Sequence, residues 1–392
     1  MKVLVISNLF PLPWEPGRGI FNAQQLRALG AQHEIQVVVP VAWRQWWKHR
    51  RAAAGSHDYH GITVTPVPYF YLPGIWRRSY AISLWLSLLF AQRRFRHWQA
   101  DVVLATWLYP DAVAAAHLAR QWHLPLLMKA HGSDVNVQCQ APARRQQVLA
   151  AADYASAVIT VSHDLATQLA QFGVSAEKLH TLYNGIDTER FPLADRTAAR
   201  STLGISNADT VLLYIGNLKR SKGVLDLVEA LQRLPAARWQ RCVVIGDGED
   251  RAAMQSAVAL AGLSSKIELV GRLPHQQIGH WLAACDLLLL PSHAEGVPNV
   301  VLEAMACGRA VVASALPGIA EVLPEFAGVL APPHQPQAFA DAIISALGRH
   351  WDAGSIHQHA CRFSWQANAA ALDTLLRQTL LPHPHNGEPE HD

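Results

Sequence analysis

The sequence predicts an α/β protein made of two Rossmann-like lobes, each a doubly wound parallel sheet, that face each other across a cleft. Short apolar runs alternate with helical patterns along the 392 residues, which is typical of parallel sheets covered by helices on both faces. The alternation starts twice with similar residues, at 3–9 and at 211–218. Half of the residues are hydrophobic and 16% are charged, so the chain can bury two cores and is not a disordered chain.

The elements of the first half follow from the apolar runs and their flanks. Residues 2–7 form a continuous apolar run, a loop with proline and glycine follows, and residues 20–29 have a helical pattern that ends at Gly30. Further buried strands are predicted at residues 35–39, 102–105, 124–129 and 157–161.

The second half repeats the pattern and fixes the expected domain limits. Strands are predicted at residues 210–215, 241–245, 267–270, 287–290 and 310–313, with a helix at 225–234. The polar stretch around residues 191–206 separates a first lobe, 1–190, from a second lobe, 191–364. A last helix, 365–380, is expected to pack back toward the first lobe, and residues 381–392 are expected to form a disordered tail.

Charge and cysteine content exclude several classes of protein. The net charge of +3 is too small for a generally polybasic nucleic-acid binder, although residues 1–190 hold 18 basic and 11 acidic side chains. The five cysteines are odd in number and far apart, which disfavours both a disulfide framework and a structural zinc site. The first residues lack a signal-peptide cleavage pattern, and the longest apolar run, 80–91, is too short to span a bilayer. We therefore expect a cytoplasmic protein.

The most informative segment, residues 293–308, directly follows a predicted strand. Pro298 suits the first position of a helix, and Gly308 suits the position after its last residue. A helix N-terminus at the carboxyl end of a strand offers free N–H groups to a diphosphate, while the carboxylates of Glu295 and Glu303 only accept hydrogen bonds and suit sugar hydroxyls. The alternative is that both glutamates are solvated acids, and the spacing alone leaves both interpretations open.

This segment, E-G-V-P-N-V-V-L-E-A-M-A-C-G from Glu295 to Gly308, resembles the donor-binding signature of family-4 retaining glycosyltransferases, which have the GT-B fold. The resemblance continues through residues 17–21, 131–134, 161–162, 183–187, 216–223, 244–248, 271–274, 283–286 and 317–322. It covers nearly the whole chain and thins between residues 44 and 98, where the acceptor-binding surface varies in the family. The resemblance implies that residues 1–190 bind the acceptor and residues 191–364 the nucleotide sugar.

The resemblance also assigns the donor contacts. Glu303 is expected to bind the ribose of a nucleotide-diphosphate sugar, and Glu295 the hydroxyls of its sugar. Further donor contacts are expected from the main chain of Gly296, Val297, Pro298 and Asn299, and from Asn217, Arg272 and Leu273.

Lys222 is expected to neutralise the donor diphosphate. Negative charge builds on the leaving phosphate as the glycosidic bond breaks, and an ammonium already in place stabilises that charge more than it stabilises the ground state. The alternative is a solvated loop lysine. The family usually has an arginine at the position of Asn217, so one phosphate contact is open, and the sequence does not decide between Arg220 and Arg272 as its source.

Three residues of the first half complete the expected site. Gly19 precedes the first helix, where a missing side chain allows backbone to approach the donor phosphate or acceptor, or serves only the turn. His131 ends a strand, and the family places this histidine beside the transferred sugar, although a lone histidine is more often structural. Asp134 is expected either to bind the acceptor or to cap the next helix, and we favour the cap.

The expected chemistry is metal-independent retaining transfer. The family mechanism is front-face attack, in which the leaving phosphate takes the acceptor's proton, so no dedicated nucleophile is needed. Asp247, in the run Gly246–Asp250, follows a strand and is expected to form a turn, not a metal site. We expect no cofactor beyond the nucleotide-diphosphate sugar.

Residues 43–98 combine tryptophan and leucine side chains with arginine and lysine, and residues 44–96 carry nine basic residues and one acid, Asp58. Such segments can lie in a membrane interface, so we expect peripheral association with the inner membrane and a glycan or lipid-linked acceptor. The alternative is a core helix with a solvated flank.

The sequence therefore predicts a glycosyltransferase of surface-polysaccharide or lipopolysaccharide biosynthesis. Two alternatives stay open: a GT-B-fold nucleotide-sugar epimerase, and a protein that binds nucleotide sugar or glycan without catalysis. A nicotinamide-dependent dehydrogenase is disfavoured because neither lobe has G-x-G-x-x-G after its first strand.

Overall fold

Residues 1–71, 74 and 76–380 are described by a computed structural model of the chain. The predicted disordered tail, 381–392, lies outside the described residues. The chain divides into two compact units. The first comprises Met1–Leu182 and the chain from Gln366 onward, and the second comprises Tyr183–Trp365.

Each unit contains one sheet. The strands of the first sheet are β1 (Lys2–Ile6), β2 (Glu34–Ala42), β3 (His57–Tyr59), β4 (Ile62–Tyr69), β5 (Val102–Ala105), β6 (Leu126–Ala130), β7 (Ala157–Thr160) and β8 (Leu179–Thr181). Those of the second are β9 (Val211–Ile215), β10 (Arg241–Ile245), β11 (Ile267–Gly271), β12 (Leu287–Leu290), β13 (Ala310–Ser314) and β14 (Gly328–Ala331). Most of these strands are unbroken apolar runs, as expected for sheets buried on both faces.

The α-helices fill the connections between strands. They are α1 (Ile20–Leu29), α2 (Trp43–Lys48), α3 (Arg50–Ala53), α4 (Tyr80–Ala91), α5 (Val113–Trp122), α6 (Pro142–Tyr154), α7 (His163–Phe172), α8 (Arg196–Leu203), α9 (Val224–Gln232), α10 (Arg251–Leu260), α11 (His275–Ala284), α12 (Asn299–Ala306), α13 (Pro317–Ala320), α14 (Pro336–Leu347), α15 (Ala353–Ala360) and α16 (Trp365–Leu380). Short 3₁₀ and π turns, such as Arg220–Lys222 and Leu108–Ala112, connect several of them.

The strand order confirms the predicted fold class. The first sheet runs β3-β4-β2-β1-β5-β6-β7-β8, and the second runs β11-β10-β9-β12-β13-β14. The second sheet is parallel throughout, while the first has one antiparallel pair, β3 with β4, at its edge. In both sheets the first strand of the unit is central, so the loops after β1 and β9 open at the position where the strand order reverses.

The two junctions between the units lie at Leu182/Tyr183 and at Trp365/Gln366, whereas the sequence analysis placed the first limit at residue 190. The reason is packing, because Ile186 is buried in the second unit's core and the ring of Tyr183 lies 5.6 Å from that of Phe363. The apolar side of α16 belongs to the first unit's core, through Ala369, Leu372, Leu375 and Leu376. No helix in the described ranges has both the length and the apolar content needed to cross a bilayer.

Candidate functional site

In the second unit, the loop between β12 and α12 carries Glu295 and fixes its carboxylate from two sides. The hydroxyl of Ser292, which is fully buried, donates to Glu295 Oε1 over 2.8 Å. The ammonium of Lys222 donates to Glu295 Oε2 over 2.7 Å. The side chains of Lys222 and Glu295 remain 27% and 11% exposed, so a ligand can reach the pair from solvent.

Backbone packing explains why Lys222 reaches this loop. Gly223, which follows the turn Arg220–Lys222, has φ +65°, and a Cβ on it would lie 1.8 Å from the carbonyl oxygen of Pro291. Only glycine allows the turn after β9 to press against the end of β12 in this way. The close approach brings together Lys222 and Glu295, which the sequence assigned to one donor site.

The start of α12 is held by a second set of contacts. The side-chain amide of Asn184 donates to Asn299 Oδ1 over 3.1 Å. The helix begins at Asn299, with Pro298 as its N-cap, one residue later than the sequence predicted, because Pro298 adopts an extended backbone. Val297 is buried in the core, which leaves its main chain as the part available to a ligand.

Glu303 faces a histidine that sequence reasoning missed. His275 Nε2 lies 3.4 Å from Glu303 Oε1, and its Nδ1 lies 3.0 Å from Nη1 of Arg190. Because a guanidinium can only donate, Nδ1 is the acceptor and the ring proton sits on Nε2, toward Glu303. The arrangement orients the carboxylate that the family resemblance assigns to ribose.

The two arginines that could replace the usual family arginine differ in their surroundings. Asn217 is exposed, and its carbonyl accepts from the Tyr214 hydroxyl over 3.1 Å. The backbone N–H of Arg220 donates to Asp250 Oδ2 over 2.7 Å, and its Nε lies 3.7 Å from Asp250 Oδ1. Arg272 is exposed and has no ion pair within the described residues, so its guanidinium is available.

Leu273 and the loop after β10 have structural partners. Leu273, beside Arg272, is half-buried and packs against the second unit's core. Asp247 Oδ1 accepts from the backbone N–H of Gly248 over 2.9 Å, in a loop that ends in a turn, as predicted.

In the first unit, His131 follows β6 and is surrounded by aromatic rings. Its ring centroid lies 4.9 Å from that of Phe21 and 6.4 Å from that of Trp107. Burial, and then the charge of Lys129, hold the pKa of His131 well below its usual value, while a hydrogen bond to the Thr106 backbone opposes them. Its Nε2 is buried and has no hydrogen-bond partner in the described part of the chain. A neutral ring therefore presents an unused nitrogen.

Asp134 organises the backbone around His131. Its carboxylate accepts from the N–H groups of Leu108 at 3.1 Å, His131 at 3.0 Å and Gly132 at 2.8 Å. Burial raises the pKa of Asp134, and these backbone hydrogen bonds oppose the rise. The predicted helix cap is wrong, because the turn Asp134–Gln138 begins at Asp134 itself and has no side-chain cap hydrogen bond. With its oxygens engaged by the main chain, Asp134 positions His131, and acceptor binding by Asp134 stays a prediction.

Gly19 is required by its own neighbours. It has φ +59°, and a Cβ on it would lie 2.1 Å from the carbonyl oxygen of Leu9, in the loop after β1. The turn interpretation therefore accounts for the glycine without a ligand. Contact of Gly19 with the donor stays a prediction.

Two buried ionisable groups of the first unit were not found from sequence. Lys129 donates to Gln25 Oε1 over 2.7 Å, and burial lowers the pKa of Lys129 to about 7. Asp111 accepts from the backbone N–H of Asn8 over 2.5 Å, and burial raises the pKa of Asp111 to about 7. The sequence shows only that Lys129 lies inside an apolar strand and that Asp111 lies shortly after Trp107. Neither observation predicts which group contacts these side chains.

Comparison with known proteins gives consistent matches. The family model described as Glycosyltransferase Family 4 matches residues 22–190, and the one described as Glycosyl transferases group 1 matches residues 209–349. The chain is 30% identical to the protein named as the teichuronic acid biosynthesis glycosyltransferase TuaC of Bacillus subtilis, over 88% of each chain.

Solved structures match over almost the whole length. HepE from Anabaena in complex with UDP superposes with a TM-score of 0.76 at 22% identity, covering 96% of this chain and 100% of that one. Sucrose-phosphate synthase from Thermosynechococcus elongatus gives 0.79 at 20% identity, covering 96% and 99%. At these identities the likeness concerns the fold.

Proposed function

Because the chain belongs to the family-4, group 1 glycosyltransferases and has the GT-B fold, we propose that it moves a sugar from a nucleotide-diphosphate sugar to a glycan acceptor with retention of anomeric configuration. The observation that carries the proposal is the Lys222–Glu295 pair, in which a cation and a fixed carboxylate occupy one position at the carboxyl ends of β9 and β12. This is the combination that a sugar diphosphate needs.

Lys222 and Glu295 bind different parts of the donor. The ammonium of Lys222 turns from Glu295 to the diphosphate when the donor binds, and stabilises the charge that builds on the leaving phosphate. Glu295, still held by Ser292, then accepts hydrogen bonds from sugar hydroxyls. Glu303 accepts from the ribose, and Arg272, free of an ion pair in the described structure, supplies the second cation for the diphosphate.

The transfer step needs no protein nucleophile or metal ion. The bond between the acceptor oxygen and the anomeric carbon forms on the face where the bond to the phosphate oxygen breaks, and the acceptor's proton passes to that phosphate oxygen. His131 is neutral and offers Nε2 to a hydroxyl of the acceptor.

We assign the acceptor to a glycan on a membrane lipid, at the cytoplasmic face of the inner membrane. The helix α4 buries Ala81, Leu84 and Leu88 on one side and exposes Ile82, Leu86 and Phe90, spaced four residues apart, on another. Phe90 is 88% exposed. An exposed apolar face on a helix whose other face is buried in the core is typical of a surface that contacts a partner or a membrane.

Aromatic and basic groups surround this exposed side. The carbonyl of Phe70, itself exposed, accepts from the Ser83 hydroxyl of α4, and Trp47 and Trp76 are 63% and 75% exposed. Eight exposed basic residues accompany them: Arg44, Lys48, Arg50, Arg51, Arg77, Arg78, Arg93 and Arg96. Aromatic rings at headgroup depth with cations on anionic lipid are the pattern of a peripheral membrane protein. The name of the TuaC relative supports a surface polysaccharide as the product.

The activity is tested by incubating the chain with UDP-, GDP- and ADP-sugars, with and without membrane extract, and following products by NMR. We expect release of nucleoside diphosphate that needs extract, a product with the donor's anomeric configuration, and full activity in EDTA. Glu295→Gln should abolish release, while Glu268→Gln, at an exposed position on the edge strand β11, should not. Sugar isomerisation without extract would support an epimerase, and binding without turnover would support a non-catalytic protein.

Membrane docking is tested by sedimentation with phosphatidylglycerol vesicles and with phosphatidylcholine vesicles. Leu86→Glu should release the protein from anionic vesicles without loss of thermal stability, because Leu86 faces away from the core. Leu260→Glu is the matched control, since Leu260 is 89% exposed in the second unit. Equal sedimentation of both variants would contradict the docking surface.

A further inference from the structure

A cluster of three potential metal ligands lies in the second unit and is not used by the proposed transfer. Asp226 stands in the first turn of α9, His293 follows β12, and His334 follows β14. One ligand atom from each lies within 4.8 Å of the others. Among the described residues, this is the group of histidine, cysteine and carboxylate side chains that meets such a spacing.

The three side chains of this cluster lie in close contact with one another. His293 Nε2 lies 2.9 Å from Asp226 Oδ2. The rings of His293 and His334 have centroids 3.7 Å apart at an interplanar angle of 35°. The two imidazoles and the Asp226 carboxylate therefore lie close enough to share one ligand.

The backbone at His334 also has an unusual conformation. His334 has φ +59°, in the left-handed region that few residues other than glycine adopt. This conformation holds the exposed imidazole next to that of His293. Asp226 and His293 are half-buried, whereas His334 is exposed, so a water molecule can complete the coordination from solvent.

We propose that Asp226, His293 and His334 bind a divalent transition-metal ion, with Zn²⁺ as the best match. Two imidazoles and one carboxylate suit zinc, cobalt or nickel, whereas magnesium and calcium prefer sets of oxygen ligands. Zinc bonds of about 2.0–2.1 Å place tetrahedral ligand atoms roughly 3.4 Å apart, so a movement of up to about 1.4 Å by the exposed His334 closes the site.

The ion would link three segments near the proposed donor site: the first turn of α9, the loop after β12 and the loop after β14. His293 is two residues from Glu295 in the same loop, and its backbone N–H donates over 3.0 Å to the carbonyl of Ser221, the neighbour of Lys222. The ion therefore acts as a clamp on the loop that carries Glu295. It contacts no reactant in this arrangement, and the metal-free transfer proposed above does not depend on it.

The site is tested by titrating the chelator-treated full-length chain with Zn²⁺ in a calorimeter. Because the sequence has 20 histidines, the assignment depends on the difference between variants and not on stoichiometry alone. His334→Asn removes the exposed ligand but keeps a residue that tolerates the left-handed backbone. We expect this variant to bind Zn²⁺ at least about tenfold more weakly at one site than the wild type.

His280→Asn is the matched control, because His280 is an exposed histidine of the same unit outside the cluster. It should bind Zn²⁺ like the wild type. Equal affinities in the wild type and His334→Asn, or no Zn²⁺ binding by either, would overturn the site.

Hydrogen exchange tests the clamp separately from any transfer activity. Saturating Zn²⁺ should slow amide exchange in residues 292–295 of the wild type and leave it unchanged in His334→Asn. Zinc binding without slower exchange in this loop would overturn the clamp. Neither measurement uses a nucleotide sugar, so a failure here is distinguishable from a failure of the proposed function.

Discussion

Lys222 Nζ donates to Glu295 Oε2 over 2.7 Å, across a separation of 73 residues in the chain. The pair exists because glycine at position 223 lets the turn after β9 press against the end of β12. A carboxylate that holds the ammonium without ligand keeps the cation in place for the diphosphate of the proposed donor. The same contact defines how each partner can be tested.

Ser292→Ala should lower kcat/KM about fivefold while the fold persists. The Ser292 hydroxyl is one of two groups that hold the Glu295 carboxylate, and its loss costs about 1 kcal/mol of orientation. Steady-state kinetics with the donor that the nucleotide-sugar panel identifies measure the effect. Ser292→Thr, which keeps the hydroxyl, should retain most of the activity, and equal losses in both variants would argue for a packing effect.

Arg272→Ala should weaken binding of the nucleoside diphosphate about tenfold, while Arg220→Ala should change it little. Asp250 Oδ1 lies 3.7 Å from the Arg220 Nε and partly neutralises that guanidinium, whereas Arg272 has no ion pair in the described ranges. Calorimetry with the diphosphate of the active donor measures both. A larger effect of Arg220→Ala would reverse the assignment of the second cation.

Asp134→Ala should destabilise the first unit by about 2 kcal/mol or more, because the buried N–H groups of Leu108, His131 and Gly132 lose their acceptor. Denaturant unfolding measures the loss. Asp134→Asn keeps one acceptor oxygen and should recover part of the stability. Unchanged stability with a raised KM for the acceptor would favour the acceptor-binding role instead.

Lys129→Met should remove a pH dependence of stability. The pKa of Lys129 is lowered to about 7 in the folded protein, from an ordinary value of 10.5, so between these pH values the unfolded chain holds more protons. The contribution of this group to stability therefore rises with pH, by up to about 1.4 kcal/mol per unit.

The measurement for Lys129 is the difference in unfolding free energy between wild type and variant at pH 7, 8 and 9. We expect the unfolding free energy of the wild type to increase relative to that of Lys129→Met as the pH rises. The exposed Lys48→Met is the control in the same unit. A difference that stays constant with pH would contradict a neutral, buried Lys129.

Continuous apolar runs made most of the fold predictable. The strands Val102–Ala105, Arg241–Ile245 and Leu287–Leu290 lie where the sequence placed them, and so does the helix Trp365–Leu380. A strand that is buried on both faces is a continuous apolar run, and a helix with one buried face has a periodic apolar pattern. Both can be recognised within a single segment of the sequence. The loop of the proposed donor site was also singled out from the sequence, because Glu295 and Glu303 fall in one long motif, and their donor contacts stay a prediction.

The strand β4 was missed because Pro66 and Pro68 argue against a strand. The structure accepts them because β3 pairs only with the start of β4, at Ile62, Thr63 and Val64, and the rest of that edge has no strand partner in the described chain. Ser292 and His275 were missed for another reason. Their roles depend on which side chain lies opposite after folding, and no local pattern records that.

Calorimetric binding of the donor's nucleoside diphosphate, without sugar, to the wild type, Lys222→Met and Glu295→Gln tests the proposed donor site. Lys222→Met should bind at least about tenfold more weakly, since the diphosphate loses its cation. Glu295→Gln should bind as tightly as the wild type or more tightly, because Lys222 is released, and yet fail to transfer sugar. Equal weakening by both substitutions would contradict the division of the donor between Lys222 and Glu295.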